Sequence, residues 1–320
     1  MSVDKKSVSA LVPVHNGERW LKVIFAQLEA NLKSGDEIIF VENGSTDSSL
    51  EILKSWKSSL PVEVLSLRHP NLVEALNLGV SASSNNWIAR FDVDDSYSSV
   101  RIEKQRELMS EDVSAIFTDY RMLGNGKIKL GKIYSPIFPR ATLISLINSQ
   151  RTAHPSSVFN KEAFLQVGGY VDDDFPAEDL SLWLRLAKIG SLVSAPIIGL
   201  DYNLRANSVS SAGQQLALQK KDKLLRNALL DLNLWKEIDS ESLLEEMDQF
   251  YKRVGNGFER ALLLLWDLKK LLPLLGRQPI TLENNLKVLS GNSSILNRVF
   301  CASRLIIERE ARRVFRTLRV

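Results

Sequence analysis

The chain has 320 residues, 44% of them hydrophobic and 25% charged, which is enough to build a large globular domain with an appendage and excludes extensive disorder. A formal net charge of +3 is too small to argue for a nucleic-acid partner. The single cysteine, Cys301, excludes an internal disulfide framework, argues against a cysteine-ligated zinc site and points to a reducing, cytoplasmic setting.

Residues Met1 to Ser9 contain two lysines with no apolar run behind them, so no secretory leader is expected. The longest apolar stretch, around Ala261 to Trp266, is broken by Asp267, Lys269, Lys270 and Pro273. It falls short of the ~20 residues a spanning helix needs.

In chain order, Val8 to Val14 reads as a β-rich strand running into the turn His15-Asn16-Gly17. Glu18 to Asn31 spaces Leu21, Ile24, Phe25 and Leu28 as one face of a helix. Glu37 to Val41 is a second strand, followed by Glu42-Asn43-Gly44-Ser45-Thr46-Asp47, in which Ser45 or Thr46 is expected to cap the next helix. Val62 to Leu67 is a third strand, Leu72 to Ser81 a helix, and Trp87 to Phe91 a fourth strand that runs into Asp92-Val93-Asp94-Asp95.

This alternation predicts an α/β fold, a mostly parallel sheet with helices on both faces. Ligands of such sheets bind at the carboxyl ends of the strands, where all three polar turns fall. Further along, Ala115 to Asp119 and Ser156 to Phe159 read as strands, Gly124-Asn125-Gly126 as a hairpin turn, and Glu178 to Ile189 as a helix. Beyond about residue 210 the composition becomes leucine-rich, with helix candidates at Leu216 to Trp235, Ser242 to Val254 and Phe258 to Leu275. The expected organisation is an α/β domain over 1–210, divided near 97 into two halves, and a helical extension over 211–320.

Clustered carboxylates are best tolerated with a cation between them, and oxygen ligands suit Mg²⁺ or Mn²⁺ bridging to phosphate. That is the functional reading of Asp92, Asp94 and Asp95; a solvated acidic turn is the alternative. Arg90 can pair with a phosphate or with one of these carboxylates. Glu178 and Asp179 open a helix, where a carboxylate either caps the N-terminus or acts as a general base toward an acceptor hydroxyl. His154 is one of three histidines and has a structural or a catalytic reading. Asn43, Thr46 and Asp47 can bond a base or ribose, or cap a helix.

Taken together, these segments resemble the inverting GT-A glycosyltransferases of family 2. Leu11 through Gly17 looks like that family's opening strand and loop, and Val41 through Asp47 like its V-D-D-G-S-T-D segment. Asn71 to Gly79 and Ile88 through Asp95 resemble the helix and metal motif that follow. His154 through Phe159, Gly168-Gly169-Tyr170 and Glu178 through Arg185 resemble the acceptor-side segments.

The resemblance implies a GT-A, Rossmann-like fold and a nucleotide-sugar donor, most simply a UDP-sugar. It places Pro13, Val14, Asn16, Glu18, Asn43, Asn77, Arg90, Asp92 and Asp94 around that donor and Mn²⁺ or Mg²⁺ on Asp94 and Asp95. His154 and Glu178 fall on the acceptor side, and Asp179 is the catalytic base of an inverting transfer to a glycan or lipid-linked glycan, as in cell-surface polysaccharide synthesis. Departures are Glu42-Asn43 for the usual paired aspartates, Leu72 for a common glycine and His15 for a tyrosine.

Other classes remain: a non-catalytic nucleotide-binding or scaffold module on the same fold, and a nucleotidyltransferase, which would need a glycine-rich basic loop that His15 to Arg19 lacks. The segment Gly291 to Val320 has seven arginines against two glutamates. Leu305, Ile306, Val314, Phe315 and Leu318 interleave with them, a pattern that suits peripheral contact with an anionic inner membrane face or packing of a solvated helix.

Overall fold

The computed structural model describes residues 5–124, 128–148, 151–204 and 214–231, together with Glu246 and Gln249. Its elements are β1 (Val8–Val14), α1 (Glu18–Asn31), β2 (Glu37–Asn43), α2 (Ser49–Ser55), β3 (Val62–Leu67), α3 (Leu72–Ala82) and β4 (Trp87–Arg90), then β5 (Ser96–Tyr97), α4 (Arg101–Arg106), β6 (Val113–Gly124) and β7 (Ile128–Ile133). They continue with α5 (Pro139–Asn148), a 3-10 turn at His154–Ser156, β8 (Val158–Asn160), α6 (Lys161–Gln166), a second 3-10 turn at Asp172–Asp174, α7 (Glu178–Leu186), β9 (Ser191–Asn203) and α8 (Gln214–Leu230).

The nine strands form one sheet in the order β3-β2-β1-β4-β8-β6-β9-β5, with β7 added to β6. β1, β2, β3 and β4 are mutually parallel. β8 runs antiparallel to both β4 and β6, and β9 runs parallel to β6. Six strands therefore share one direction, with β5, β7 and β8 opposed. The expected mostly parallel α/β sheet is present, and its carboxyl edge collects the ends of β1, β2, β4 and β9.

β1 is buried along its whole length, as a central strand covered on both faces requires. Val8, Ala10, Val12 and Val14 join Leu21, Ile24, Phe25 and Leu28 of α1 in one core, where Phe25 stacks on Trp56 with ring centroids 4.2 Å apart. Leu11 and Val41 face α3 on the other side, and a Cβ at Gly79 would lie 2.1 Å from Leu11 Cδ1. The absence of a side chain at Gly79 lets α3 sit close on the sheet.

Several local expectations are revised. α2 begins at Ser49 with Ser48 at its N-cap position, so neither Ser45 nor Thr46 caps it. Asp47 Oδ1 instead accepts from Ser49 N at 3.0 Å. The strand expected at Ala115 extends through Gly124, and β9 occupies Ser191–Asn203, where no strand was expected. Pairing of β6 with β7 bears out the hairpin, although its turn lies outside the described residues. α8 covers most of the first expected C-terminal helix; the other two, Cys301 and the basic tail lie outside the described residues. The chain divides into two compact units, Met1–Glu237 and Ile238–Val320.

Gly44 closes the turn after β2 with φ +66°, and a Cβ there would meet the backbone of Pro70 at 2.8 Å and of His69 at 2.9 Å. Gly44→Ala should destabilise the fold by about 1–3 kcal/mol through left-handed strain and the enforced backbone shift. A denaturant titration measures it; an unchanged midpoint would refute that account.

Candidate active site

At the carboxyl edge, the loop after β1 is laced to the loop after β2. His15 Nδ1 bonds Asn43 O at 2.8 Å, Asn16 Oδ1 accepts from Thr46 N at 2.8 Å, and Glu18 N donates to Asp47 Oδ2 at 3.1 Å. Asn16 itself takes φ 49°. Pro13 and Val14 end β1 opposite Val41 and Glu42, beneath these loops.

The Glu42-Asn43 pair has a structural role. Glu42 accepts from Ser45 N and from Ser66 Oγ, the latter at 2.8 Å. Asn43 Oδ1 accepts from Asn71 N at 2.7 Å, which ties the turn to the start of α3, where Asn71 is the N-cap. Asn77 is not turned to this edge alone: its amide donates to Tyr170 O at 2.9 Å and accepts from Tyr170 N at 3.0 Å.

Between the available partners for Arg90, the structure selects a carboxylate. Its side chain is 2% exposed, and NH2 donates to Asp92 Oδ1 at 2.7 Å. Burial is the largest influence and opposes its charge, but Asp92, Tyr170 and Tyr97 together outweigh it and raise the pKa. The main chain of Asp92 is held by the Tyr97 hydroxyl, which accepts from Asp92 N at 2.6 Å. Beneath lies a second buried cation, Arg101, donating to Arg90 O at 2.9 Å and Ser157 O at 3.0 Å and stacked over Phe91 and Tyr97. Burial first, with Arg90 adding to it, lowers its pKa to about 10.

The rest of the acidic run is fixed from far along the chain. Asn203, the last residue of β9, donates from N to Asp95 Oδ1 and from Nδ2 to Asp94 O, both at 2.8 Å. Asp95 is buried, whereas Asp92 and Asp94 are half-buried. Among the described residues no group of three or more His, Cys, Asp or Glu side chains converges as a metal cage. That donor set fits Mg²⁺ or Mn²⁺ shared with a diphosphate, because such ions take one or two carboxylates and complete their shell with water and phosphate.

The acceptor-side residues meet the same cluster. His154 Nε2 lies 2.7 Å from the Tyr170 hydroxyl, over an aromatic floor of Phe117, Phe159 and Trp183. Burial and then the Arg90 cation pull His154 well below the usual imidazole range, so it is neutral. α7 starts at Glu178 with Ala177 at the cap position. Asp179 therefore lies inside the first turn rather than at the cap, and its Oδ1 accepts from Leu180 N at 2.7 Å. Glu178 is buried; burial, then Asp179, raise its pKa to about 7, while Arg90 pulls the other way.

The amino-acid pattern and this arrangement meet in the comparisons. The glycosyl transferase family 2 model matches residues 9–168. The chain belongs to that family, and it is a glycosyltransferase. It is 27% identical over 196 residues to the amylovoran biosynthesis glycosyltransferase AmsE of Erwinia amylovora, covering 58% of this chain and 71% of that one. It is 28% identical over 187 residues to the O-antigen biosynthesis glycosyltransferase WbnJ of Escherichia coli, covering 56% and 71%. Its fold is similar to that of S. aureus TarS 1-349 in complex with UDP, with TM-score 0.56 at 14% identity, covering 79% and 72%. The mannosyltransferase PcManGT of Pyrobaculum calidifontis in complex with GDP-Man and Mn²⁺ matches at TM-score 0.53 and 13% identity, covering 92% and 85%. These neighbours bear out the GT-A fold.

Tyr97, Arg101 and Asn203 were not singled out by the sequence. Arg101 and Tyr97 read as ordinary surface residues after an acidic turn, and nothing local marks Asn203. Among the described residues no helix is long and apolar enough to cross a membrane.

Because the Glu178 pKa is raised, the fold favours its protonated form. Stability is full below the ordinary carboxylate value of about 4.5 and falls as pH rises through about 7. Glu178→Gln should therefore stabilise the fold more at pH 8 than at pH 5, by up to about 3 kcal/mol in the limit of a fully buried group, read as a larger rise in melting temperature at the higher pH. Equal effects at both pH values would refute the shift.

Proposed function

We propose that this glycosyltransferase moves one sugar, with inversion, from a nucleotide-sugar to a glycan or lipid-linked glycan in cell-surface polysaccharide synthesis. A UDP-sugar is the expected donor. The observation that carries the reading is that Asp92, from the acidic run after β4, and Glu178, next to Asp179 at the start of α7, both interact with one buried cation, Arg90. Relatives named for amylovoran and O-antigen biosynthesis support the polysaccharide context.

In this reading Pro13, Val14, Asn16, Glu18 and Asn43 border the nucleotide, and Asp94 and Asp95 hold Mg²⁺ or Mn²⁺. When bound, such an ion neutralises charge on the diphosphate. Asp92 is committed to Arg90 and supports the run from behind. The Asp179 carboxylate takes the acceptor hydroxyl proton as that oxygen bonds to the anomeric carbon. The bond from that carbon to the diphosphate oxygen breaks with its electron pair, and nucleoside diphosphate leaves. Attack and departure on opposite faces, with no enzyme nucleophile, invert the centre.

Neutral His154, bonded to Tyr170, and a Glu178 whose protonated form is favoured by burial reduce negative charge beside Asp179, which favours a single working base. A nucleotide-sugar is a cytoplasmic metabolite, so the proposed place of action is the cytoplasm or the inner membrane face.

Purified protein should release nucleoside diphosphate from an NDP-sugar only with Mn²⁺ or Mg²⁺ present. Asp179→Asn should lower transfer by about 10²–10⁴-fold and keep donor affinity by calorimetry. Full activity of that variant would overturn the base assignment, and turnover in chelator would overturn the metal.

A further inference from the structure

We propose that Tyr120 and Tyr202 form an aromatic shelf that seats a pyranose ring of the acceptor beside the catalytic carboxylate. The inference rests on the transferase reading and names the substrate group that this side of the site takes.

The two residues come from neighbouring parallel strands, Tyr120 opposite Leu200 on β9 and Tyr202 opposite Met122 on β6, so both side chains leave the same face of the sheet. Their ring centroids are 6.2 Å apart at an interplanar angle of 68°. This makes a floor and a wall rather than a stack. Both are half-buried, so neither residue is sealed into the core.

Their position relative to the chemistry is fixed at two ends. Tyr202 directly precedes Asn203, which is bonded to Asp94 and Asp95. Tyr120 lies within electrostatic reach of Asp179 and of the Arg151 guanidinium. The shelf therefore lies on the Asp179 side of the site, with its Tyr202 end one residue along β9 from the clasp on the acidic run.

The chemistry of the rings suits a sugar. One face of a pyranose presents C–H groups with slight positive charge, which complement the negative face of an aromatic ring. Burial, then Tyr202, push the Tyr120 phenol up to about 12. It stays protonated at working pH and can donate to a sugar hydroxyl while its ring takes the C–H face.

The test is saturation-transfer NMR on the full chain with UDP and MgCl₂. The probes are methyl β-D-glucopyranoside, methyl β-D-galactopyranoside, methyl N-acetyl-β-D-glucosaminide and methyl α-D-mannopyranoside. At least one should receive saturation on its ring C–H protons. Tyr120→Ala and Tyr202→Ala should each weaken that binding about tenfold, and Tyr120→Phe and Tyr202→Phe should retain most of it. UDP affinity should be unchanged in all four variants, which also shows that they fold. No saturation with any glycoside, or undiminished saturation in both alanine variants, would overturn the shelf. Failure of UDP, GDP and their sugars to bind the unaltered chain would instead count against the transferase reading.

Discussion

A buried guanidinium needs a counter-charge, and in this protein that need organises the site. Arg90 ends β4 almost fully enclosed, and Asp92 neutralises it two residues later. Arg101 is buried next to it and repels it, so the pair of cations demands more negative charge than one aspartate supplies. The acidic run is thus partly the counter-ion of the protein's own arginines. Removing one partner of such a pair leaves an uncompensated charge at a cost of about 3–5 kcal/mol, so the run's conformation is held by the interior as well as by the turn.

The same cation reaches across to the acceptor side. It adds to the burial that keeps His154 neutral and moderates the rise at Glu178. Two carboxylates side by side at the start of α7 cannot ionise equally in a poorly solvated site. Burial favours the protonated form of Glu178, whereas Asp179 beside it is only half-buried. The acidic run after β4 and the start of α7, about eighty residues apart in the chain, therefore share one electrostatic centre.

The parallel half of the fold was legible because its signals are local. β1 and β3 are short runs bounded by turns, and α1 shows a clean apolar stripe, so their limits agree with the structure. β9 was missed because Pro196 and Gly199 interrupt its pattern, as they do in strands with irregular pairing. The β6–β9 register indeed shifts around Asp119, and Gly199 passes so close to Thr118 that a Cβ would be 2.4 Å from its hydroxyl. The acidic run and Glu178-Asp179 were legible as unusual clusters of charge. Tyr97, Arg101 and Asn203 act through contacts across the chain, which spacing does not encode.

The bond from Asn203 to the acidic run sets when, during synthesis, the site can exist. The strand that carries Asp92 to Asp95 is complete early, but its brace arrives more than a hundred residues later, with the end of β9. The segment matched by the family, 9–168, ends before both α7 and β9. A nascent chain released at that point would hold most of the parallel sheet, yet it would leave the edge of β6 unpaired where β9 belongs and the acidic turn without its clasp. The braced form of the acidic turn is therefore completed late, and a fragment that keeps the clasp has to reach past residue 202 to include Asn203.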